Sequence, residues 1–538
     1  MITALDYGIL FLYFAGMIAL SVFLGRRYAG RKDYFLGGQR IPDWAIAASI
    51  MATQASVISM ISAPAFVAVR PGGGLIWIQY EFALPLAMIL VMAVLAPYFY
   101  RAKIITVYEY LERRFDARTR AVFSLVFQLS RALATGVAIY AAAILLSIIL
   151  DTPLWASILL MGSISIVYTT IGGISADIWS DVIQLVLLWA GTFVVLWFAV
   201  AAGGGWTEVI AHIPAERFRA VDFASHGIGD GRTFGFWPMV LGGFFLYASY
   251  YGCDQSQIQR VLCAESERKA RRALWLNGLW RFPLVLSYCL VGLVMAGFVV
   301  KEPTFTASIP EDHLDYMIPL FIKHYVPPGL TGLILAGMFA AVMSSIDSAF
   351  NSLSAASVQD VYVRYVNPSA TERQCLFWSR AATAIWGVLC TGLAFWVGNL
   401  APTVIEGINK IGSAFYGPTL AAFLVAILSR RATGNGVVWG LACGVGLNIV
   451  LWAGYDDSVS WLWWNAIGCA VTVAVASLPA FRGPGLPPAQ ADQLTMSWAE
   501  MRKGFWEERA MYGSLAFYFL LIILVSYGLW FLQPGPGR

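Results

Sequence analysis

Apolar residues in this chain gather into blocks of 18 or more, and that feature limits what it can fold into. About twenty apolar residues wound as a helix cross the roughly 30 Å hydrocarbon core of a bilayer. About fourteen such blocks follow one another: 5–25, 44–69, 75–100, 121–150, 154–171, 182–202, 235–253, 274–300, 329–352, 375–399, 403–429, 434–455, 460–480 and 511–532. Inside a bilayer every backbone N–H and C=O must find its partner within the protein, which favours helices. Barrel strands would show short alternating segments instead. The sequence therefore predicts an all-α membrane protein with about fourteen transmembrane helices. Block 5–25 lacks a basic leader and ends at Arg26-Arg27 rather than at a small-residue cleavage site, so it reads as a span and not as a signal peptide.

Loop charges orient the spans. With the N-terminus outside, segments 26–43, 101–120, 172–181, 254–274, 353–374, 430–433 and 481–510 face inward and hold 24 lysines and arginines, against 7 in the outside segments. Cytoplasmic loops carry such an excess. The expected placement is the inner membrane with both termini outside, and the net charge of +4 reflects this asymmetry, not binding to nucleic acid. Only 12% of residues are charged, half the usual share of a soluble domain.

Several chemistries find no residues to work with. The seven cysteines are scattered without a C-x-x-C pair, and the four histidines all fall in outside loops. Zinc, iron–sulfur, haem and disulfide frameworks lose their ligands. No GxxxxGK[ST] phosphate loop is present. With no nucleophile–base pair in a span, the chain reads as a carrier and not an enzyme. Its expected partners are a small solute and membrane lipid.

The blocks divide by parity. Segment 1–43 holds an extra helix and an inside loop. Segments 44–202 and 235–429 each hold five spans, separated by the outside loop 203–234. Five is odd, so the second set starts from the opposite face and is inverted, an arrangement that puts binding sites at broken helices near mid-membrane. Segment 430–538 adds C-terminal helices, with an inside linker 481–510 that includes an amphipathic stretch, Met496 to Glu508. Polar residues mark the breaks. Ala52-Thr53-Gln54-Ala55-Ser56, then Ser59 and Ser62, interrupt one block; Ala341, Ser344, Ser345, Asp347 and Ser348 share two turns of another. Glu81 follows Tyr80 in the third block, and Asp181 opens the sixth. Single serines in membrane helices commonly serve packing alone, but a carboxylate in a span is costly enough to suggest function.

At these residues the chain resembles the sodium:solute symporter family, which includes the sodium–glucose cotransporters. The resemblance runs from Tyr34-Phe35-Leu36-Gly37-Gly38 to about Leu428. It is carried by Tyr80-Glu81 with the run Tyr108 to Phe115; by Gly172-Gly173 through Ala176 to Asp181-Val182-Ile183-Gln184; by Tyr250 to Gln255 with Ile258-Gln259-Arg260; and by Met343-Ser344-Ser345-Ile346-Asp347-Ser348 with Phe350-Asn351-Ser352. It implies inverted five-helix repeats of the leucine-transporter type. It also implies a Na⁺ site built from the carbonyls of Ala52, Ala55 and Ala341 and the hydroxyls of Ser344 and Ser345. Such neutral oxygens replace the hydration shell of a hard cation without holding it too tightly.

Asp181, Asp347 and Ser348 are the expected residues for a second sodium, which some members of the family have. The positions matching the sugar site are Gln54, Ser59, Glu81, Tyr250, Arg281 and Asn409, with Tyr250 where the family places an aromatic gate. Gln54 stands for the family's Asn, Ser59 for its Gln or His, Asn409 for its Gln and Arg281 for its Lys. The expected function is sodium-coupled import of a sugar or polyol. Its alternatives are import of a carboxylate or other anion, or a membrane sensor on a transporter fold.

Overall fold

The computed structural model describes residues 3–25, 31–55, 57–397 and 404–533. Ser56 of the first polar break, Arg26-Arg27 and the facing ends of blocks 375–399 and 403–429 lie outside the described residues. Among the described residues the regular structure is helical, with isolated bridges and no strand. Nine helices among the described residues are long and apolar enough to cross a membrane, and ten if one bent pair counts as a single span.

In chain order the elements that matter here are α1 (Ala4–Gly25), α2 (Asp43–Gln54), α3 (Val57–Ala68), α4 (Leu75–Ala102), α5 (Ala117–Leu150), α6 (Leu154–Ala202), α7 (Gly243–Cys253) and α8 (Gln255–Leu262). They continue as α9 (Glu267–Lys301), α10 (Leu330–Val366), α11 (Glu372–Ala394), α12 (Val404–Leu428), α13 (Gly434–Tyr455), α14 (Trp461–Ala476), α15 (Trp498–Glu507) and α16 (Arg509–Gly528).

Helices α2 and α3 are the bent pair, turned by 55°. The polar run predicted from sequence does break the helix: Ala55 leaves the helical region (φ −82°, ψ 70°) after its N–H bonds the Met51 carbonyl at 2.7 Å. Pro64 inside α3 has no N–H to give, which frees one more carbonyl in the following half. Both halves pack against α9 and α10. In α10 89% of the apolar window is buried, against 17% in α1 and in the C-terminal span. The centre of the bundle is therefore the broken pair with α10, and α1 and α16 face lipid.

Two expectations about loops are corrected. Segment 172–181 is not a loop: α6 runs from Leu154 to Ala202 and is interrupted only at Gly173 (φ 56°, ψ −179°). That conformation is open essentially to glycine alone, so the chain re-aims the helix at one residue instead of leaving it. Asp181 thus lies well inside the second part of α6 and does not open it. Likewise α10 does not stop at residue 352; its last turns, Ala356–Val366, widen into a π-helix within the expected inside loop. The carboxylates in both stretches, Asp177, Asp181 and Asp360, are buried and paired with Arg260 or Arg120, which lets helix persist where hydropathy falls.

Close approach holds the centre together. A Cβ at Gly337 of α10 would lie 2.8 Å from the Leu187 carbonyl oxygen of α6, so these helices meet backbone to backbone. The extra helix α1 docks by a carboxylate: Asp6 Oδ1 accepts the N–H groups of Gly329 and Gly332, both at 2.7 Å, and so caps the start of α10. The amphipathic stretch after residue 496 folds as α15 behind a capping box, in which Ser497 and Glu500 satisfy each other's backbone N–H.

Candidate functional site

Six residues expected at the solute site, Gln54, Ser59, Glu81, Tyr250, Arg281 and Asn409, line one cavity of about 110 Å³ at the helix break. That is room for several water molecules or one small solute. Four of them are held by a hydrogen-bonded neighbour. Glu81, on the tight 3-10 turns that begin α4, accepts a hydrogen bond from Tyr247 at 2.9 Å, and its other oxygen stands 3.4 Å from Arg281 Nε without a hydrogen bond. Asn409 accepts from the Tyr80 hydroxyl at 3.2 Å and donates to the Ile405 carbonyl at 2.7 Å. Gln54 accepts from the Tyr251 hydroxyl. Tyr250 is held by the Gln257 amide, which donates to its hydroxyl at 2.7 Å, and by the Arg131 guanidinium 5.5 Å from its ring centre. Arg131 is in turn ion-paired with Asp254.

The expected cation ligands come together only in part. Ser345 donates to the Thr53 carbonyl at 2.9 Å and reaches the Ala341 carbonyl at 3.4 Å, joining α10 to the end of α2. The Ser344 hydroxyl is fully buried beside Asp181 and makes no hydrogen bond of ordinary geometry. Ala52 and Ala55 sit, buried, on the last turn of α2 and at its break. Thr53 was missed by sequence reasoning, although it lies inside the polar run that marked the break. It touches both sites: its carbonyl meets Ser345, its hydroxyl is 3.2 Å from that of Ser348, and it lines the cavity with Gln54 and Ser345.

Behind this lies a buried charged cluster. Arg260 of α8 reaches Asp177 at 2.9 Å and Asp181 at 3.1 Å, and it also donates to Ser49 at 2.7 Å and to Ser348. Ser49 of α2 donates to Asp181 at 2.5 Å. Asp347 turns the other way and accepts from Thr169 of α6 at 2.5 Å. The structure thus gathers Asp181 and Ser348 around Arg260 and seats Asp347 against Thr169, in the first part of α6. Asp177 and Arg260 were given no role from sequence because both fell in expected loops. Arg131 lay within a predicted span, and a charge there was signal enough to flag it.

A further ion pair joins two residues outside the cavity lining. Arg70, just past α3, makes two hydrogen bonds to Glu406 of α12, at 2.6 and 3.0 Å, and lies over the rings of Phe66 and Phe234. Nearby, outside the spans, burial pushes the Asp315 carboxyl up to about 6, against the pull of the Val404 N–H that donates to it at 2.9 Å. Asp315 is therefore charged at neutral pH and takes up its proton on mild acidification.

A many-span helical bundle with a polar cavity at a helix break, and the Ser345 hydroxyl turned toward the Thr53 carbonyl, is the architecture of a membrane carrier. The chain belongs to the sodium:solute symporter family, whose model matches residues 34–444. It is a sodium-coupled multi-pass membrane transporter, not an enzyme. It is 29% identical to the human sodium-coupled monocarboxylate transporter 1, over 84% of this chain and 73% of that one. It is also 29% identical to the sodium/sialic acid symporter NanT of Aliivibrio fischeri, over 88% and 93%. The human sodium/iodide cotransporter matches at 29%, over 84% and 69%. Among solved structures, a substrate-bound, outward-open Na⁺-coupled sialic acid symporter superposes with a TM-score of 0.79 at 26% identity, over 88% of this chain and 97% of that one.

Proposed function

We propose that this chain imports a small hydroxylated solute, a sugar or polyol, together with sodium by alternating access. The observation that carries the reading is the single cavity lined by Gln54, Ser59, Glu81, Tyr250, Arg281 and Asn409, which shares Thr53 and Ser345 with the α2–α10 contact. On this reading the carbonyls of Ala52, Ala55 and Ala341 and the hydroxyls of Ser344 and Ser345 hold Na⁺. The ion fastens the broken pair to α10, and the solute meets the same broken pair one turn away. Coupling needs only that each ligand favour the same arrangement of these helices. Hydroxyls of the solute bond to Glu81, Gln54 and Asn409, and its C–H face lies on Tyr250. Asp177 and Asp181 share the Arg260 guanidinium while Asp347 bonds Thr169 beside them, and a second Na⁺ would offset that negative excess.

The same reading takes about fourteen spans, inverted repeats over 44–202 and 235–429, both termini outside and an inner-membrane location. A second reading, import of a carboxylate or other anion, is favoured by Arg281, whose Nε and Nη1 are buried without hydrogen bonds. It comes second because Glu81, 3.4 Å away, sets a like charge against the anion. A sensor on a transporter fold would bind the solute without accumulating it.

The test is uptake in proteoliposomes of labelled sugars, polyols and carboxylates with and without a sodium gradient, for the parent chain and Glu81→Gln. Losing the charged acceptor removes about 1.5–3 kcal/mol of hydrogen bonding, so affinity for a hydroxylated solute should fall about tenfold or more. Improved carboxylate uptake by the variant would establish the anion reading instead.

A further inference from the structure

On the outer surface of α2, away from the cavity, two recesses adjoin. One is a polar cleft of about 840 Å³ between the starts of α2 and α9 and the corner where α15 meets α16. The other is an apolar groove of about 200 Å³ that continues along α2 and α9 over a floor of Leu185 and Trp189 from α6. One stripe of α9 runs through both: Arg268, Arg272, Leu276, Trp280 and Leu284 recur at four-residue spacing and so share a face. Its first two members are cations and its last three are apolar. The facing edge of α2 has the same polarity, Asp43 in the cleft and then Trp44, Ala47 and Met51 in the groove. The Trp189 N–H is satisfied by Ser287 at 3.1 Å, which leaves an apolar floor.

The cleft is balanced in charge. Arg268, Lys269 and Arg272 face Asp43, Glu507 and Glu508. Arg268 has no ion-pair partner among the described residues and Glu507 reaches only Lys503 at 3.9 Å, whereas Arg272 reaches Asp43 at 3.2 Å, Glu508 reaches Arg271 at 3.6 Å and Lys269 pairs with Glu265. A ligand with one charge would answer one set and leave the other facing a like charge. A headgroup carrying a phosphate and, two carbons away, a primary ammonium answers both: the phosphate accepts charge-assisted hydrogen bonds from Arg268 and Arg272, and the ammonium donates to Glu507. Trp44 and Trp280, each half exposed at the groove, suit the level where headgroups give way to hydrocarbon.

From this continuity we propose that the recess holds one phosphatidylethanolamine molecule of the inner leaflet, its headgroup in the cleft and an acyl chain in the groove. The site does not depend on which solute is carried. It braces the half-helix α2, whose far end is the break at Ala55, by filling the space beside Ala47 and Met51.

The full-length chain, purified in detergent and stripped of lipid, is titrated with dioleoylphosphatidylethanolamine, dioleoylphosphatidylcholine or dioleoylphosphatidylglycerol. Native mass spectrometry counts retained lipid, and thermal unfolding reports its effect. One phosphatidylethanolamine should bind about tenfold more tightly than either other lipid and raise the unfolding temperature. Phosphatidylcholine keeps both charges but has no N–H to donate, so it isolates the ammonium hydrogen bonds. Arg268→Gln and Glu507→Gln, both at exposed positions where folding is not at stake, should each weaken that binding about tenfold. Trp280→Ala should weaken all three lipids alike, and Arg118→Gln, an exposed arginine elsewhere, should change nothing. Equal retention of the three lipids, tighter binding of phosphatidylglycerol, or unchanged affinity in Arg268→Gln and Glu507→Gln would each overturn the proposal.

Discussion

Single side chains at the helix break are asked to do more than one thing, and Ser344 and Ser345 show how that can be read. Ser345 spends its proton on the Thr53 carbonyl, whereas the buried Ser344 hydroxyl makes no ordinary hydrogen bond. A buried hydroxyl left without a partner is destabilising, and a bound cation would use its lone pairs. Replacing both by alanine should therefore remove little stability, about 1 kcal/mol for the one lost bond. The half-saturating sodium concentration should rise about tenfold or more. Sodium titration of uptake beside thermal unfolding measures both quantities. Unaltered half-saturation in Ser344→Ala/Ser345→Ala would remove the proposed cation site from this place. The adjacent serines were legible in the sequence because hydroxyls so concentrated in a span are unusual. The part played by Thr53 was not, since its carbonyl acts only once the break has freed it.

Among the helices, α6 carries the clearest lesson. Ser175, Asp177, Ser180 and Asp181 lower the hydropathy of 172–181 and give it the look of a loop. The structure keeps it helical because Arg260 and Ser49, from α8 and α2, supply the partners those carboxylates would otherwise take from water. Gly173 then sets the angle at which the acids enter the bundle. Forcing a side chain into its conformation costs about 1–3 kcal/mol, so Gly173→Ala should lower the unfolding temperature by several degrees. It should also weaken sodium dependence by shifting Asp181 against Arg260, and it should do so without touching the solute cavity. Equal unfolding temperatures for the parent and the variant would show that α6 does not need this break. The α2–α3 break, in contrast, was legible, because a polar run with little to bond sits there between two apolar halves.

At the scale of the whole molecule, the number of sodium ions decides how steep a gradient the carrier can build. One Na⁺ falling through about 100 mV contributes roughly 2.3 kcal/mol, and a tenfold concentration ratio adds about 1.4 kcal/mol. Together they support accumulation of a neutral solute by about 500-fold, and two ions would square that ratio. Asp181 belongs to the cluster where a second ion would sit, but Arg260 already engages it. Reversal potentials in proteoliposomes should give two sodium ions per solute for the parent chain and one for Asp181→Asn. A parent ratio of one, or a ratio of two that survives the substitution, would take the second ion away from Asp181.

Class, the main helix break and six of the cavity-lining residues could be read from the sequence and its family motifs. Hydropathy and polar interruptions act locally, through the cost of leaving backbone or charge unpaired in hydrocarbon, and the motifs that resemble the family add the register. What the tertiary structure alone decided is which charges meet. Arg260, Asp177 and Arg131 draw their roles from partners 83 and 79 residues away for Arg260 and 123 away for Arg131. A charge becomes tolerable in the membrane only when such a partner arrives, and no local stretch of sequence states which partner that is.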